Sequence, residues 1–288
     1  MSIEVTNLSH IYAKDTVFEF AALKGISFTV GARDFIGVIG HTGSGKSTLI
    51  QHLNRLLLPT SGTVFVNGKD ITDKSFPMKE ICKRVGIVFQ YPEHQLFEDT
   101  VYKDVSFGPR NIGFSEEEIE KTVRESIELV GLDYETVKDS SPFDLSGGQK
   151  RRVAIAGVLA MKPNILILDE PASGLDPMGR KELLINIKRL NEEVGICIIL
   201  VSHNMEDVAE YADKIMVYAK GELVMYDTPD KVFAEAEFLN NLNLAVPESK
   251  KILQLLKDKN IDIDTTAYTT RGAVDEIMRV FGRCKEND

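Results

Sequence analysis

The chain has 288 residues, 43% of them apolar, and a formal net charge of −10. That length suits one large core with a smaller appendage rather than two full domains, and the excess of 44 acidic over 34 basic residues excludes a surface built throughout for nucleic acid, while a local basic pocket stays compatible. The longest apolar stretches, Ile165-Leu166-Ile167-Leu168 and Ile196 to Val201, are strand-sized, far below the roughly 18 to 20 apolar residues of a membrane helix.

Met1-Ser2-Ile3-Glu4-Val5 carries no charged head followed by an apolar segment, so no signal peptide is expected and a cytoplasmic protein is inferred. Cys82, Cys197 and Cys284 are odd in number and lack metal-type spacing, which fits a reducing compartment. Cys197, inside an apolar run, is expected in the core.

In chain order, residues 3–5, 26–30 and 35–39 read as short strands, the last running into a glycine-rich loop, and residues 46–57 as a helix stopped by Pro59 and Gly62. Residues 63–66 and 85–89 are further strands, with Asn67-Gly68 as a turn between them. From Thr100 to about Asp139 strand signals vanish. There Ser115-Glu116-Glu117-Glu118 forms a capping box ahead of Ile119, Val123, Ile127 and Val130 at helical spacing, which predicts a helical insert within an α/β core. Residues 147–161 then read as a helix and 165–168 as a fully buried strand. Helix 177–193, strand 196–201, helix 205–212 and strand 215–218 alternate as a parallel sheet requires.

Gly221-Glu222 and Thr228-Pro229 bracket a last short strand, and the pattern changes after about Ala245. Ile252, Leu255 and Leu256, then Val274, Ile277, Met278 and Phe281, predict two amphipathic helices around a polar stretch at 262–270, forming a small accessory domain. The absence of internal repeats and sustained heptads excludes long coiled-coil arms.

Gly40-His41-Thr42-Gly43-Ser44-Gly45-Lys46-Ser47 fits the phosphate-loop pattern, is extended by Thr48, and lies between a strand and a helix as the motif requires. Its glycines let backbone N–H groups turn toward the β- and γ-phosphates at a positive helix end. Lys46 suits a phosphate contact and Ser47 a Mg²⁺ ligand. The strand ending in Asp169-Glu170 puts two carboxylates at the carboxyl edge of a sheet, where α/β proteins bind ligands. Asp169 suits Mg²⁺, largely through water, and Glu170 suits the base that orients the attacking water; a solvated acidic turn is the alternative reading. Leu145-Ser146-Gly147-Gly148-Gln149 offers a hydroxyl and bare N–H groups to an anion at a helix start, or is a plain glycine-rich cap.

The run from Leu145 through Lys150-Arg151-Arg152 closely resembles the signature sequence of ATP-binding-cassette (ABC) proteins, and other family motifs follow in order. Gln90 resembles the Q-loop glutamine, Ser173-Gly174-Leu175-Asp176 the D-loop, and His203 the switch histidine. Taken singly, Gln90 reads equally as a surface amide and His203 as a satisfied buried histidine. Tyr12 resembles the aromatic that stacks on adenine. Pro171-Ala172-Ser173-Gly174 departs from the more usual Pro-Thr-Ala-Gly or Pro-Thr-Ser-Gly without disturbing an assigned role.

The resemblance implies a head-to-tail pair of subunits in which Leu145, Ser146, Gly147, Gly148, Gln149 and Asp176 serve the other chain's ATP. It also implies that ATP closes the pair and hydrolysis releases it, that His203 contacts the γ-phosphate, and that Gln90 contacts Mg²⁺ and links the site to a partner. The implied fold is an α/β core over residues 1–244, with an antiparallel β-subdomain and a helical insert at about 100–160, followed by a C-terminal dimerisation region at 245–288.

Phe89-Gln90-Tyr91-Pro92-Glu93-His94-Gln95-Leu96-Phe97, with Thr100-Val101, Asp104-Val105 and Phe107-Gly108-Pro109, is similar to the ATPases of energy-coupling factor transporters, which import vitamins or transition-metal ions. Gly40-His41-Thr42-Gly43 and Gln51-His52-Leu53-Asn54 further resemble the second of the two paralogous ATPases in those systems. Implied partners are a paralogous ATPase, or a second copy of the chain, a transmembrane scaffold docking around Tyr91 to Phe97, and a substrate-binding membrane subunit, with no nucleic acid. The implied location is the cytoplasmic face of the membrane.

A DNA-repair or chromosome-organising ABC ATPase would carry a long coiled coil or nucleic-acid domains, and a translation-type one two cassettes. A phosphate-loop kinase would share residues 40–47 but have no use for Ser146 to Gln149.

Overall fold

A computed structural model describes residues 2–282, so Cys284 and the last six residues of the expected C-terminal region lie outside the described residues. Among the described residues ten strands form two sheets. An antiparallel sheet holds β1 (Ile3–Tyr12), β2 (Phe20–Val30), β4 (Ser61–Val66) and β5 (Lys69–Asp70) in the order β2-β1-β4-β5. A six-stranded sheet holds β3 (Phe35–Gly40), β6 (Val85–Val88), β7 (Ile165–Asp169), β8 (Cys197–Val201), β9 (Lys214–Ala219) and β10 (Glu222–Asp227) in the order β10-β9-β3-β8-β7-β6. All its pairings are parallel except that of β10, which closes the edge antiparallel to β9.

The helices in chain order are α1 (Lys46–Leu53), α2 (Met78–Cys82), α3 (Val101–Ile112), α4 (Glu116–Leu129), α5 (Tyr134–Val137), α6 (Gly147–Leu159), α7 (Pro177–Arg189), α8 (Met205–Tyr211), α9 (Pro229–Ala234), α10 (Ala236–Asn241), α11 (Glu248–Asp258) and α12 (Thr270–Phe281).

The central strands are apolar throughout because both faces of the parallel sheet are covered. Side chains alternate between faces, and the two cores divide accordingly. Ile165, Ile167, Cys197, Ile199 and Val201 face Leu49, Ile50 and Leu53 of α1 and the inner face of the antiparallel sheet. Leu166, Leu168, Ile198 and Leu200 face α3, α4, α6 and α7 through Val105, Ile119, Val123, Val153, Ile155 and Leu184. Cys197 is fully buried as expected, and burial pushes its thiol up to about 12.

β1 and β2 are longer than the expected 3–5 and 26–30. Register shifts between Val5 and Leu8, Leu8 and His10, and His10 and Ile11 interrupt the alternation on which the sequence signal depends. The helix after the glycine loop ends at Leu53, before the expected Leu57: Arg55 takes φ 59° and Asn54 Oδ1 accepts the Leu56 N–H at 3.2 Å. Asn67-Gly68 turns not into the 85–88 strand but into the two-residue β5. The helix expected over 177–193 continues past α7 as a π turn, Leu190–Val194, and the buried Asn191 amide donates to the Arg33 and Ile196 carbonyls at 2.8 and 2.9 Å.

The insert forms as its caps predict. Thr100 caps α3 by accepting from Lys103 N–H at 3.2 Å, and Ser115 and Glu118 form a reciprocal capping box on α4. At the C-terminal end, α11 and α12 share a small core of Leu253, Ile263 and Ala273 with Leu256 and Ile277. Ile252, Leu255, Val274, Met278 and Phe281 stay exposed. Val246 packs into the cassette core beside Met205 and Val208, and the Glu248 N–H donates to Glu206 on α8 at 2.9 Å. Among the described residues no helix is long and apolar enough to cross a membrane.

Candidate active site

The carboxyl ends of four neighbouring strands converge: β3 delivers the glycine loop, β6 leads to Gln90, β7 ends in Asp169 with Glu170 next, and β8 leads to His203. Thr42, Gly43, Gly45, Lys46, Ser47, Thr48, Gln90, Asp169, Glu170 and His203 line one cleft of about 430 Å³. The loop's tightness is set by backbone. A Cβ on Gly40 would lie 2.4 Å from the Tyr218 carbonyl oxygen, and Gly45 combines φ 107° with a Cβ position 2.6 Å from the Ala22 carbonyl oxygen.

Lys46 is 7% exposed and its ammonium donates to the Gly40 and His41 carbonyls at 2.6 and 3.1 Å. Burial holds its pKa below the usual lysine range against the pull of Glu170 and Asp169. Ser44 does not line the cleft; its buried hydroxyl has no hydrogen-bond partner.

Burial raises the Asp169 carboxyl, opposed by Lys46. It raises Glu170 further, up to about 7, with the adjacent Asp169 adding to the effect. Glu170 sits at φ 50°, a left-handed conformation uncommon for a non-glycine residue and held here by its N–H bond to the Val201 carbonyl at 3.0 Å. Its buried Oε1 has no hydrogen-bond partner; the His203 Nε2 stands 3.5 Å away. Burial, with Lys46 behind it, lowers the His203 pKa, so near neutral pH this contact is one between an uncharged imidazole and a carboxyl poised to exchange a proton. A carboxyl of that poise in the cleft lined by the glycine loop suits orientation of a water for attack.

Tyr12 does not line the cleft. Its hydroxyl pairs with the Thr48 hydroxyl at 3.2 Å and its ring stands edge-on to His10 at 4.4 Å. Phe20, its cross-strand partner, does line the cleft, as do Ala22 and Val201. None of these three was singled out from sequence. Only the register of the bulged strand pair places Phe20 opposite Tyr12.

Ser146, Gly148, Gln149 and Asp176 line a different cleft of about 750 Å³ with Arg151, Arg152, Gly174 and Met178, and no residue is shared between the two clefts. Ser146 caps α6 in a reciprocal box with Gln149, with distances of 3.0 and 3.3 Å. Gly147 opens the helix and Leu145 packs against the insert core. The Asp176 carboxylate caps α7, accepting from the Met178 and Gly179 N–H groups at 3.0 Å each.

Residues 23–173 match the family model described as ABC transporter. The energy-coupling factor transporter ATP-binding protein EcfA2 of Clostridium perfringens is 53% identical over 281 residues, spanning 98% of this chain and 99% of that protein. The EcfA2 protein of Clostridium tetani is 50% identical over 287 residues, the whole of both chains. Among solved structures, cbiO1 of Clostridium perfringens, described as part of the ABC transporter complex cbiONQ, superposes with a TM-score of 0.73 at 40% identity over 84% of this chain and 94% of that one. The dimeric ATP-binding cassette MJ0796 bound to ADP and Pi does so with a TM-score of 0.69 at 28% identity over 79% and 98%. The chain belongs to the ABC transporter family, among the ATPases named energy-coupling factor transporter ATP-binding proteins of the second paralogous type.

Proposed function

We propose that the two clefts are complementary halves of composite ATP sites, each completed by the other ATPase of the pair, and that ATP-driven closing and hydrolysis-driven opening power import of a vitamin or transition-metal ion. The observation that carries this reading is the separation of the phosphate loop and the signature helix into clefts with no residue in common. Lys46 and the loop N–H groups hold the phosphates, Glu170 orients and polarises the attacking water, His203 contacts the γ-phosphate, and Ser146, Gly147 and Gly148 close on the ATP held by the partner.

A divalent cation fits the donor set. Two half-buried carboxylates lie side by side, one with an unpartnered oxygen, and the Ser47 and Gln90 side chains line the same cleft. Ser47, Gln90 and Asp169 would hold Mg²⁺, which when bound supplies charge stabilisation of the transferring phosphoryl group.

Exposed Tyr91, Phe97 and Phe107, the last two with rings perpendicular at 4.9 Å, form an apolar face beside Gln90 suited to a transmembrane scaffold subunit. The cassette spans residues 1–244, with its insert at about 100–160. The apolar faces of α11 and α12, in the region 245–288, support contact with a paralogous ATPase at the cytoplasmic membrane surface. Purification from membranes in mild detergent tests the assignment. Recovery with a transmembrane scaffold and a second ATPase is expected, and recovery with DNA or ribosomes would overturn it.

A further inference from the structure

His52 lies in the last turn of α1, one turn beyond Thr48, and is 1% exposed. None of the roles assigned to the two clefts uses it. Its Nδ1 stands 2.7 Å from the Thr48 carbonyl oxygen, and its Nε2 stands 3.1 Å from Nδ1 of His10 on β1. A carbonyl oxygen only accepts, so Nδ1 of His52 carries a proton. Burial above all lowers the His52 pKa, opposed by the Thr48 carbonyl. Near neutral pH the ring is therefore uncharged, its Nε2 is an acceptor, and His10 Nδ1 donates to it.

His10 in turn stands edge-on to Tyr12, with ring centroids 4.4 Å apart, and the Tyr12 hydroxyl pairs with the Thr48 hydroxyl at 3.2 Å. Four residues, His52, His10, Tyr12 and Thr48, thus close a ring between β1 and the helix that follows the phosphate loop. This end of β1 needs such a fastening. Register against β2 shifts between Leu8 and His10 and again between His10 and Ile11, and the pairing with β4 ends at Ser9. The Ile11 N–H goes instead to the Thr60 hydroxyl at 3.0 Å. Sheet pairing alone does not fix where Tyr12 stands relative to the glycine loop. Tyr12 lies beside the phosphate-loop cleft, and both its hydroxyl partner Thr48 and its cross-strand partner Phe20 line that cleft.

We propose that His10 and His52 are positioning residues for nucleotide recognition, an imidazole pair that holds the Tyr12 ring beside the cleft for the base of the nucleotide to pack against. That role rests on the reading that residues 40–48 hold the phosphates and Tyr12 meets the base. It separates base from phosphates, because among the described residues no hydrogen bond of either imidazole reaches residues 40–47.

Equilibrium binding of ATP and of inorganic tripolyphosphate to the full chain tests the role. His52→Leu and His10→Leu are each expected to weaken ATP binding about five- to fiftyfold, the worth of a misplaced stacking aromatic, and to leave tripolyphosphate binding within about twofold of the wild type. His10 is only partly buried, so His10→Leu carries the test if His52→Leu fails to fold. His10→Asn places an amide N–H where Nδ1 stood and should restore most of the ATP affinity. Adding His10→Leu to Tyr12→Ala should cost nothing further, since both changes remove one contact with the base. Equal loss of both ligands, unchanged ATP affinity in the leucine variants, no rescue by asparagine, or effects that multiply in the double variant would each overturn the role of the pair. Unchanged ATP affinity in Tyr12→Ala would instead overturn the reading that Tyr12 meets the base, and the role of the pair with it.

Discussion

Glu170→Gln removes a carboxyl that the fold holds uncomfortably. Burial and the neighbouring Asp169 lift it from 4.5 to about 7, and at about 1.4 kcal/mol per pH unit this amounts to roughly 3–4 kcal/mol. The side chain is 16% exposed, so solvent screening trims the figure only modestly, to about 2–3 kcal/mol. The sign follows from proton binding. Raised in the folded state, the carboxyl favours folding in full below its unfolded value of 4.5, and that contribution is lost as pH rises through about 7. Glutamine mimics the protonated form at every pH. In the nucleotide-free chain, Glu170→Gln should therefore match the wild type near about pH 4.5 and exceed its stability by about 2–3 kcal/mol near about pH 8.

Urea unfolding of the two proteins at intervals across that range measures the difference. A gap that stays constant with pH, or a variant weaker than the wild type on the alkaline side, would refute the reasoning. The same substitution should lower ATP turnover by about 10² to 10⁴ while ATP binding persists, and undiminished hydrolysis would remove Glu170 from the role of base.

Lys46→Ala should weaken ATP binding by about ten- to hundredfold, the worth of a charged hydrogen bond, and equilibrium binding showing unchanged affinity would count against the loop assignment. A mixture of Lys46→Ala and Ser146→Arg chains keeps at most one intact composite site per pair, so full activity in that mixture would refute completion in trans. Phe97→Asp should abolish recovery with the membrane subunits while ATP binding by the isolated chain stays intact; recovery at the wild-type level would move the docking face elsewhere. Gly148→Ala should stabilise the isolated chain by about 1 kcal/mol in thermal unfolding yet lower turnover of the pair, and a gain in both would show that nothing presses against that helix end.

The parallel core was legible because its strands are short apolar runs with turn residues at both ends. Ile165 to Leu168 could be placed without knowing which face each side chain takes. The antiparallel sheet was legible only in part, since three register shifts in β1 scramble the alternation that marks a half-exposed strand. Of the site, the loop and the carboxylate pair announce themselves because phosphate chemistry demands glycines and a lysine at fixed spacing. Relations across the fold do not. Arg151 and Glu93 are 58 positions apart, and nothing in either neighbourhood says that the guanidinium will donate to the carboxylate at 2.8 Å. The elevated Glu170 carboxyl is equally invisible, because it arises from burial, which a dipeptide cannot report. Tyr12 reads as an aromatic near a nucleotide, but its hydroxyl bond to Thr48 and the placement of Phe20 in the cleft depend on strand register.

The start of α6 is the feature of this chain that best supports the proposed completion in trans. The box between Ser146 and Gln149 satisfies the N–H groups of both residues, and leaves those of Gly147 and Gly148, at the first two helical positions, with no helical partner. Neither glycine is needed for backbone conformation, since both are helical. Neither is needed for packing within the chain: a Cβ on Gly147 would meet nothing within 4 Å, and one on Gly148 only Leu175 at 3.9 Å. Each nevertheless costs about 1 kcal/mol of helix stability relative to alanine. The phosphate-loop glycines differ, because Gly40 and Gly45 are hemmed in by this chain's own carbonyls. A pair of bare amides kept open at a stability cost, on a surface that the phosphate-loop cleft does not share, is what the proposed arrival of an anion on another subunit accounts for.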